Sequence, residues 1–160
     1  MYMAVDYSTA ITDRSENDLR RFRELDAKRF SDMTLAERAE WLAGLKATYN
    51  ASDLNRVGGF ILDLAEKLHD IAGITVNVNP KTDWTYSDIP SVMQLDAYIS
   101  DLQSLKNSFV FTTPELPNTA SNLTLTGANA IEQMCVNLNA AITRLQQSGF
   151  YCDEIYSGEF

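Results

Sequence analysis

Residues 41–57 read WLAGLKATYNASDLNRV, and the fold class turns on this stretch. It joins one amphipathic helix to the next through a short capped turn, and none of its residues is an evident catalyst. Ser52 or Asp53 offers the side-chain oxygen that opens the downstream helix. That helix carries Leu54, Val57, Ile61, Leu64, Leu68 and Ile71 at alternating three- and four-residue spacing, which places them on one face. Gly58 and Gly59 interrupt it at about 1 kcal/mol each relative to alanine. Either a neighbouring element passes close by or the helix bends there. Gly73 then supplies a helix stop.

Upstream, a first helix is expected from Ser15, with Glu16 and Asp18 early and Lys28 and Arg29 late, a charge order that suits the helix dipole. Leu19, Phe22, Leu25 and Phe30 give it a partial apolar face. Thr34 and Glu37 form a capping box that opens a second helix. Leu35, Ala39, Leu42 and Leu45 are expected to face the core, with Trp41 widening that stripe. Downstream, Ile74–Val78 alternates apolar and polar residues, the period of a short half-buried strand. Lys81–Pro90 is a loop whose Trp84 and Tyr86 fold back on the core. Ser91 and Gln94 open a fourth helix with Val92, Leu95, Ile99, Leu102 and Leu105 in register. Pro114 and Pro117 break the chain before a fifth, capped at Thr126, striped by Ile131, Cys135, Leu138, Ile142 and Leu145, and stopped at Gly149.

The expected fold is therefore mainly α: a single-domain bundle of about five helices with one or two short β segments and extended termini. Residues 1–14 form an extended N-terminal segment, 15–149 the helical domain and 150–160 an extended tail. The chain's 160 residues, 45% of them apolar, suffice for a core without disulfides or metal. The two cysteines are too few for a disulfide scaffold. A net charge of −9 argues against nucleic acid, which demands a basic footprint. No apolar run approaches the ~20 residues that span a bilayer, and the N-terminus lacks signal-peptide character, so synthesis in a reducing cytoplasm is expected.

Residue chemistry gives no reaction centre. His69 is the one histidine, with no ligand spacing around it, and is expected to face solvent. There is no nucleophile elbow and no phosphate-binding glycine loop. Asp153/Glu154 and Glu37/Glu40 read as solvated acidic faces. Arg20, Arg21, Arg23 and Arg29 interleave with Glu16, Asp18, Glu24 and Asp26, which makes ion pairs in place of a basic stripe. No catalytic, cofactor or metal residue is expected. The chain ends carry the candidate partner-binding residues: Met3, Val5 and Tyr7 at one end, Tyr151, Ile155, Tyr156 and Phe160 at the other. They either dock onto a partner or pair with Ile74–Val78 in the same molecule.

An ordered set of stretches adds to this reading: Ile11–Ser15, Trp41–Val57, Val78–Pro90 (VNPKTDWTYSDIP), Thr112–Gln133 with its TTPELP and LTLTGANAIEQ runs, and Tyr156–Phe160. Together they resemble a family of bacteriophage and prophage proteins encoded among tail and baseplate genes. Its relatives have polar helix formers where this chain has Gly58-Gly59. The resemblance implies a virion structural protein, a tail- or baseplate-associated connector or adaptor, made in the host bacterial cytoplasm. Its implied partners are other virion proteins and further copies of itself, without nucleic acid or membrane. It brings no catalytic residue with it. The alternative is a host-attachment or carbohydrate-binding module of the tail, with Trp84, Tyr86 and Tyr49 as stacking residues. An enzyme would require a deep pocket gathering His69 with carboxylates.

Overall fold

Short oxygen-bearing side chains decide where the helices begin. The computed structural model describes residues 5–109 and 114–156, with only the backbone path for 148–156. Ser15, Thr34, Asn50 and Ser91 each accept a hydrogen bond from the N–H three residues on, and the side chain at that position reaches back to the cap. These four boxes open α1 (Glu16–Asp26), α2 (Leu35–Ala43), α3 (Ala51–Ala72) and α4 (Val92–Ser108). At α5 (Leu125–Tyr156) the Thr124 hydroxyl accepts from the Gly127 N–H at 3.0 Å.

Two caps differ from expectation. Asn50, still extended at φ −98°, caps α3 and makes Asp53 its partner in the box, so neither Ser52 nor Asp53 is the cap. Thr124 replaces Thr126, which already lies inside α5. Nor does α5 stop at Gly149: residues 150–156 are helical, not an extended tail. One glycine inside a helix costs only about 1 kcal/mol, and no proline follows to end it. Gly73 does terminate α3, in the left-handed conformation (φ 66°) with its N–H bonded to the His69 carbonyl.

The main core lies between α3, α4 and α5, where Leu64, Leu68, Leu102, Leu105, Met134 and Leu138 are fully buried. All three helices start at the same end of the bundle. Along α3 and α5, Arg56 meets Glu132 and then Lys67 meets Asn139, so the two advance together. Tyr49, just before α3, lines one cleft with Pro90 before α4 and another with Leu125 of α5. Helices that run the same way need long return segments; residues 73–91 form the first, and residues 114–124 belong to the second.

This explains the one structural class the alternation misstates. Ile74, Val76 and Val78 are half-buried while Thr75 and Asn77 are exposed, yet no β-strand occurs among the described residues. The period of two records an extended return segment with one side on the bundle, without a ladder. Gly58 marks where that return passes α3. A Cβ there would lie 2.9 Å from the Lys81 carbonyl oxygen and 3.3 Å from the Tyr98 ring, so close approach, not bending, accounts for it. Gly59 has nothing within 4 Å of a built Cβ.

The α1–α2 hairpin has its own small core of Leu25, Met33 and Leu45, with the Phe22 and Trp41 rings stacked 6.1 Å apart. The face expected for α2 holds in part: Leu45 and Trp41 belong to this core, but the other three positions do not. Leu35 and Leu42 are 83% and 64% exposed, and Ala39 is also exposed. The cause is electrostatic: Glu37 pairs with Lys28 and Glu40 with Arg21, while Arg38 donates to the Phe30 and Ser31 carbonyls. Those bonds turn the charged side of α2 towards the residues before it and leave its aliphatic side outside.

Candidate functional site

The most concentrated polar chemistry is buried. Glu132 of α5 has no exposed surface, and its carboxylate accepts from the Ile11 N–H (2.7 Å), Arg14 Nη2 (2.7 Å), Arg56 Nε (3.0 Å) and Arg56 Nη2 (3.0 Å). Asp53 accepts from Arg56 Nη2 at 2.6 Å and from the Asn50 N–H at 3.0 Å. Arg14 also donates to the Lys46 and Ile11 carbonyls, and its guanidinium lies 4.8 Å from the centre of the Tyr49 ring. Asn129 brackets Arg14, accepting from its N–H and donating to its carbonyl.

Two arginines thus balance two carboxylates, and each charge is hydrogen-bonded, as a buried charge requires. Burial opposes the charge on Arg56, but its bonds to Glu132 and Asp53 outweigh that, and its pKa is raised. Tyr49 is pushed well above its ordinary value by burial and then by Glu132, and its hydroxyl has no partner among the described residues. Burial, then the Glu132 charge, raises the Cys135 thiol, so it stays protonated. The arrangement is a lock joining the N-terminal segment, the α2–α3 turn, α3 and α5. Its carboxylates are held by partners within the lock.

The candidate N-terminal residues are placed against the chain's own body. Tyr7 stacks on Phe60 with centroids 4.6 Å apart, and its hydroxyl donates to Asp63 at 2.7 Å. Burial and then the Asp63 bond raise its pKa. Lys67 lies 4.9 Å from the same ring, and Val5 packs against the main core. Neither residue pairs with Ile74–Val78. Met3 and Phe160 fall outside the described residues, while Tyr151, Ile155 and Tyr156 lie on the last turns of α5. His69 is exposed, with Nδ1 3.1 Å from the Thr75 hydroxyl. Among the described residues, no group of three or more His, Cys, Asp or Glu is arranged to hold a metal ion, and no helix is long and apolar enough to cross a membrane.

Tyr49, Trp84 and Tyr86 do come together, lining one open cleft of about 200 Å³ with Asn50, Asp88 and Pro90. Its back wall is fixed. The Asn55 side chain makes paired hydrogen bonds with the Trp84 backbone, at 2.7 and 2.9 Å, and the Trp84 indole N–H donates to the Tyr98 hydroxyl at 2.7 Å. Tyr98 in turn donates to the Lys81 carbonyl. With Lys81 Nζ 5.1 Å from its ring and only 6% of its surface exposed, Trp84 is a structural residue. Tyr86, at 80% exposure, is the one open aromatic of the three.

Beside the cleft lies a surface that residue pattern alone did not isolate. Ile89 is 92% and Met93 81% exposed, with Val92 at 47%. The available signal was Val92-Met93 directly after the Ser91 cap, two apolar residues in a first turn where only one side can face the bundle. No protein-family model, no curated protein and no solved structure matches the chain.

Proposed function

We propose that this chain is a structural protein of a bacteriophage particle, a tail- or baseplate-associated connector or adaptor that works through protein–protein contacts and catalyses no reaction. The observation that carries the reading is the uncovered apolar surface of Tyr86, Ile89, Val92 and Met93, repeated on the outer face of α2. Clustered exposed apolar side chains mark contact surfaces. Covering one fully exposed Ile or Met contributes about 1.5–3 kcal/mol. Partners are other virion proteins or further copies of this chain, and the acidic net charge keeps free copies apart until a specific contact forms.

The stretches that carry the resemblance have structural work in this fold. Ile11–Ser15, Trp41–Val57 and Thr112–Gln133 supply Arg14, Asp53, Arg56, Asn129 and Glu132, the members of the buried lock. Val78–Pro90 supplies the return segment over Gly58 and ends at the exposed patch. Packing and contact account for these residues without a reaction. Deleting the gene from the encoding phage and imaging the particles tests the proposal: incomplete tails or baseplates are expected, and intact infectious particles contradict it.

The cleft favours a second reading, host attachment through a carbohydrate. Tyr86→Ala is its proper test, since Trp84→Ala would also disturb the core. Glycan-array binding lost in Tyr86→Ala supports that reading, and no glycan binding by the wild-type chain removes it.

A further inference from the structure

Among the described residues, two clusters of exposed apolar side chains stand out, and the charges bordering them have opposite sign. One is the outer face of α2, where Leu35, Ala39 and Leu42 are exposed and Phe30 lies alongside at 48% exposure. Its bordering charges are arginines: the Arg38 guanidinium sits 5.4 Å from the Phe30 ring, and Arg29 is exposed beside it. The exposed Asp32, hydrogen-bonded by the adjacent Ser31 hydroxyl, offsets one of these two charges, which leaves the local balance positive. The other patch is Tyr86, Ile89, Val92 and Met93, bordered by the exposed Asp83 and Asp88. A cation there, Lys81, lies 2.5 Å from Asp83 and 3.9 Å from Asp88, and one lysine against two aspartates leaves the balance of these three negative.

Neither patch suits a two-fold contact with itself. Packing α2 on α2 sets arginines against arginines, and packing the second patch on its own copy sets aspartates against aspartates; like charges in contact are unfavourable. One patch on the other brings aliphatic side chains together with arginine facing aspartate. We infer that the outer face of α2 and the Tyr86–Met93 patch are the two halves of one head-to-tail contact between copies of this chain. The inference rests on the structural role proposed above and names the partner, a second copy. A contact between two different patches repeats from copy to copy and builds a ring or a filament.

Its strength is bounded by its size. Each patch presents on the order of 400–500 Å² of mostly apolar side chain, the scale that marks an interaction surface on a monomer. Two such patches bury less than the roughly 1,200 Å² of a stable pairwise complex. A single contact is therefore weak, and an array in which every copy makes two is held more firmly.

Sedimentation equilibrium of the full chain provides the test. With a dissociation constant on the order of 1 mM for each head-to-tail step, the weight-average mass rises to about 2.2 times the monomer at about 1 mM protein, and falls back as salt screens the arginine–aspartate pairs. Two variants separate the halves: Leu35→Gln/Leu42→Gln on one patch and Ile89→Gln/Met93→Gln on the other. All four positions are exposed, and unchanged thermal melts confirm that the fold is kept. Each variant alone stays monomeric. Mixed in equal amounts they form a one-to-one dimer, because each retains the half the other has lost. The inference is overturned if the wild type is monomeric at about 1 mM, if either variant alone associates like wild type, or if the mixture stays monomeric. A monomeric wild-type chain that is nonetheless present in particles removes the self-contact and leaves the structural role standing, with the patches assigned to another protein.

Discussion

Glu132→Gln is the sharpest perturbation of this fold. The substitution keeps the shape of the side chain but removes its charge and turns one acceptor into a donor. Whichever oxygen becomes the N–H₂ group, Arg56 loses one of its two bonds together with that of either Arg14 or the Ile11 N–H, and Asp53 is left to balance two arginines. Arg14 has only 1% of its side chain exposed, so water does not replace the lost bond. Breaking a buried, hydrogen-bonded ion pair from one side costs about 3–5 kcal/mol. For a chain of this length each kcal/mol lowers Tm by about 2–4 °C, so a drop of about 6–20 °C is expected. Urea unfolding followed by circular dichroism measures the free energy directly, with an unchanged slope showing that the same surface is exposed. Because Ile11 or Arg14 loses its bond to this side chain, limited proteolysis should also cut the segment before α1 faster in the variant. A loss below about 1 kcal/mol would mean that Glu132 is not the buried centre described here.

The adjacent glycines of α3 should respond with opposite signs. Gly58→Ala forces the return segment at Lys81 away and is expected to destabilise by about 1–3 kcal/mol, whereas Gly59→Ala, into open space, should stabilise by up to about 1 kcal/mol; equal effects in chemical unfolding would refute the close approach. Glu37 has its carboxyl lowered from 4.5 to about 2, first by the Lys28 bond and then by the Thr34 backbone. A depressed folded-state pKa contributes stability above 4.5 that is lost as pH falls towards 2. Melts of wild type should therefore lose more stability than Glu37→Gln between those limits, and parallel curves would contradict the pairing. In a Cys152→Ser background the buried Cys135 thiol should react with a thiol reagent only on unfolding, and prompt labelling of the native protein would show that α5 does not bury that face.

What could be read in advance follows a physical divide. The stripes of α3 and α5 were legible because their buried positions repeat along one helix, and the Thr34 and Ser91 boxes because both partners lie within four residues. Asn50 was not, since Asn50-Ala51-Ser52-Asp53 offers several competing oxygens and only the backbone angle at Asn50 chooses among them. Leu45 and Trp41 pack as their spacing implies, but Leu35, Ala39 and Leu42 face outward, because aliphatic spacing is local whereas the Arg21–Glu40 and Lys28–Glu37 pairs that orient the helix join different elements. Ile74–Val78 shows that alternation reports an extended chain with one dry side, whether or not a neighbouring strand exists. The lock was hidden by distance: Arg14 and Glu132 are 118 positions apart, and a glutamate beside Ile131 reads as an edge of the stripe until its partners are known. Of the aromatic residues read together as stacking candidates, Tyr49, Trp84 and Tyr86 do share a cleft, but their separate burial was not readable.

Quantitative mass spectrometry of purified phage particles tests the central claim most directly. A structural connector must be present in fixed ratio to other tail or baseplate proteins, and peptides of this chain should hold that ratio through successive purification steps. Loss of the chain on purification, or its presence in infected cells but never in particles, would contradict the account.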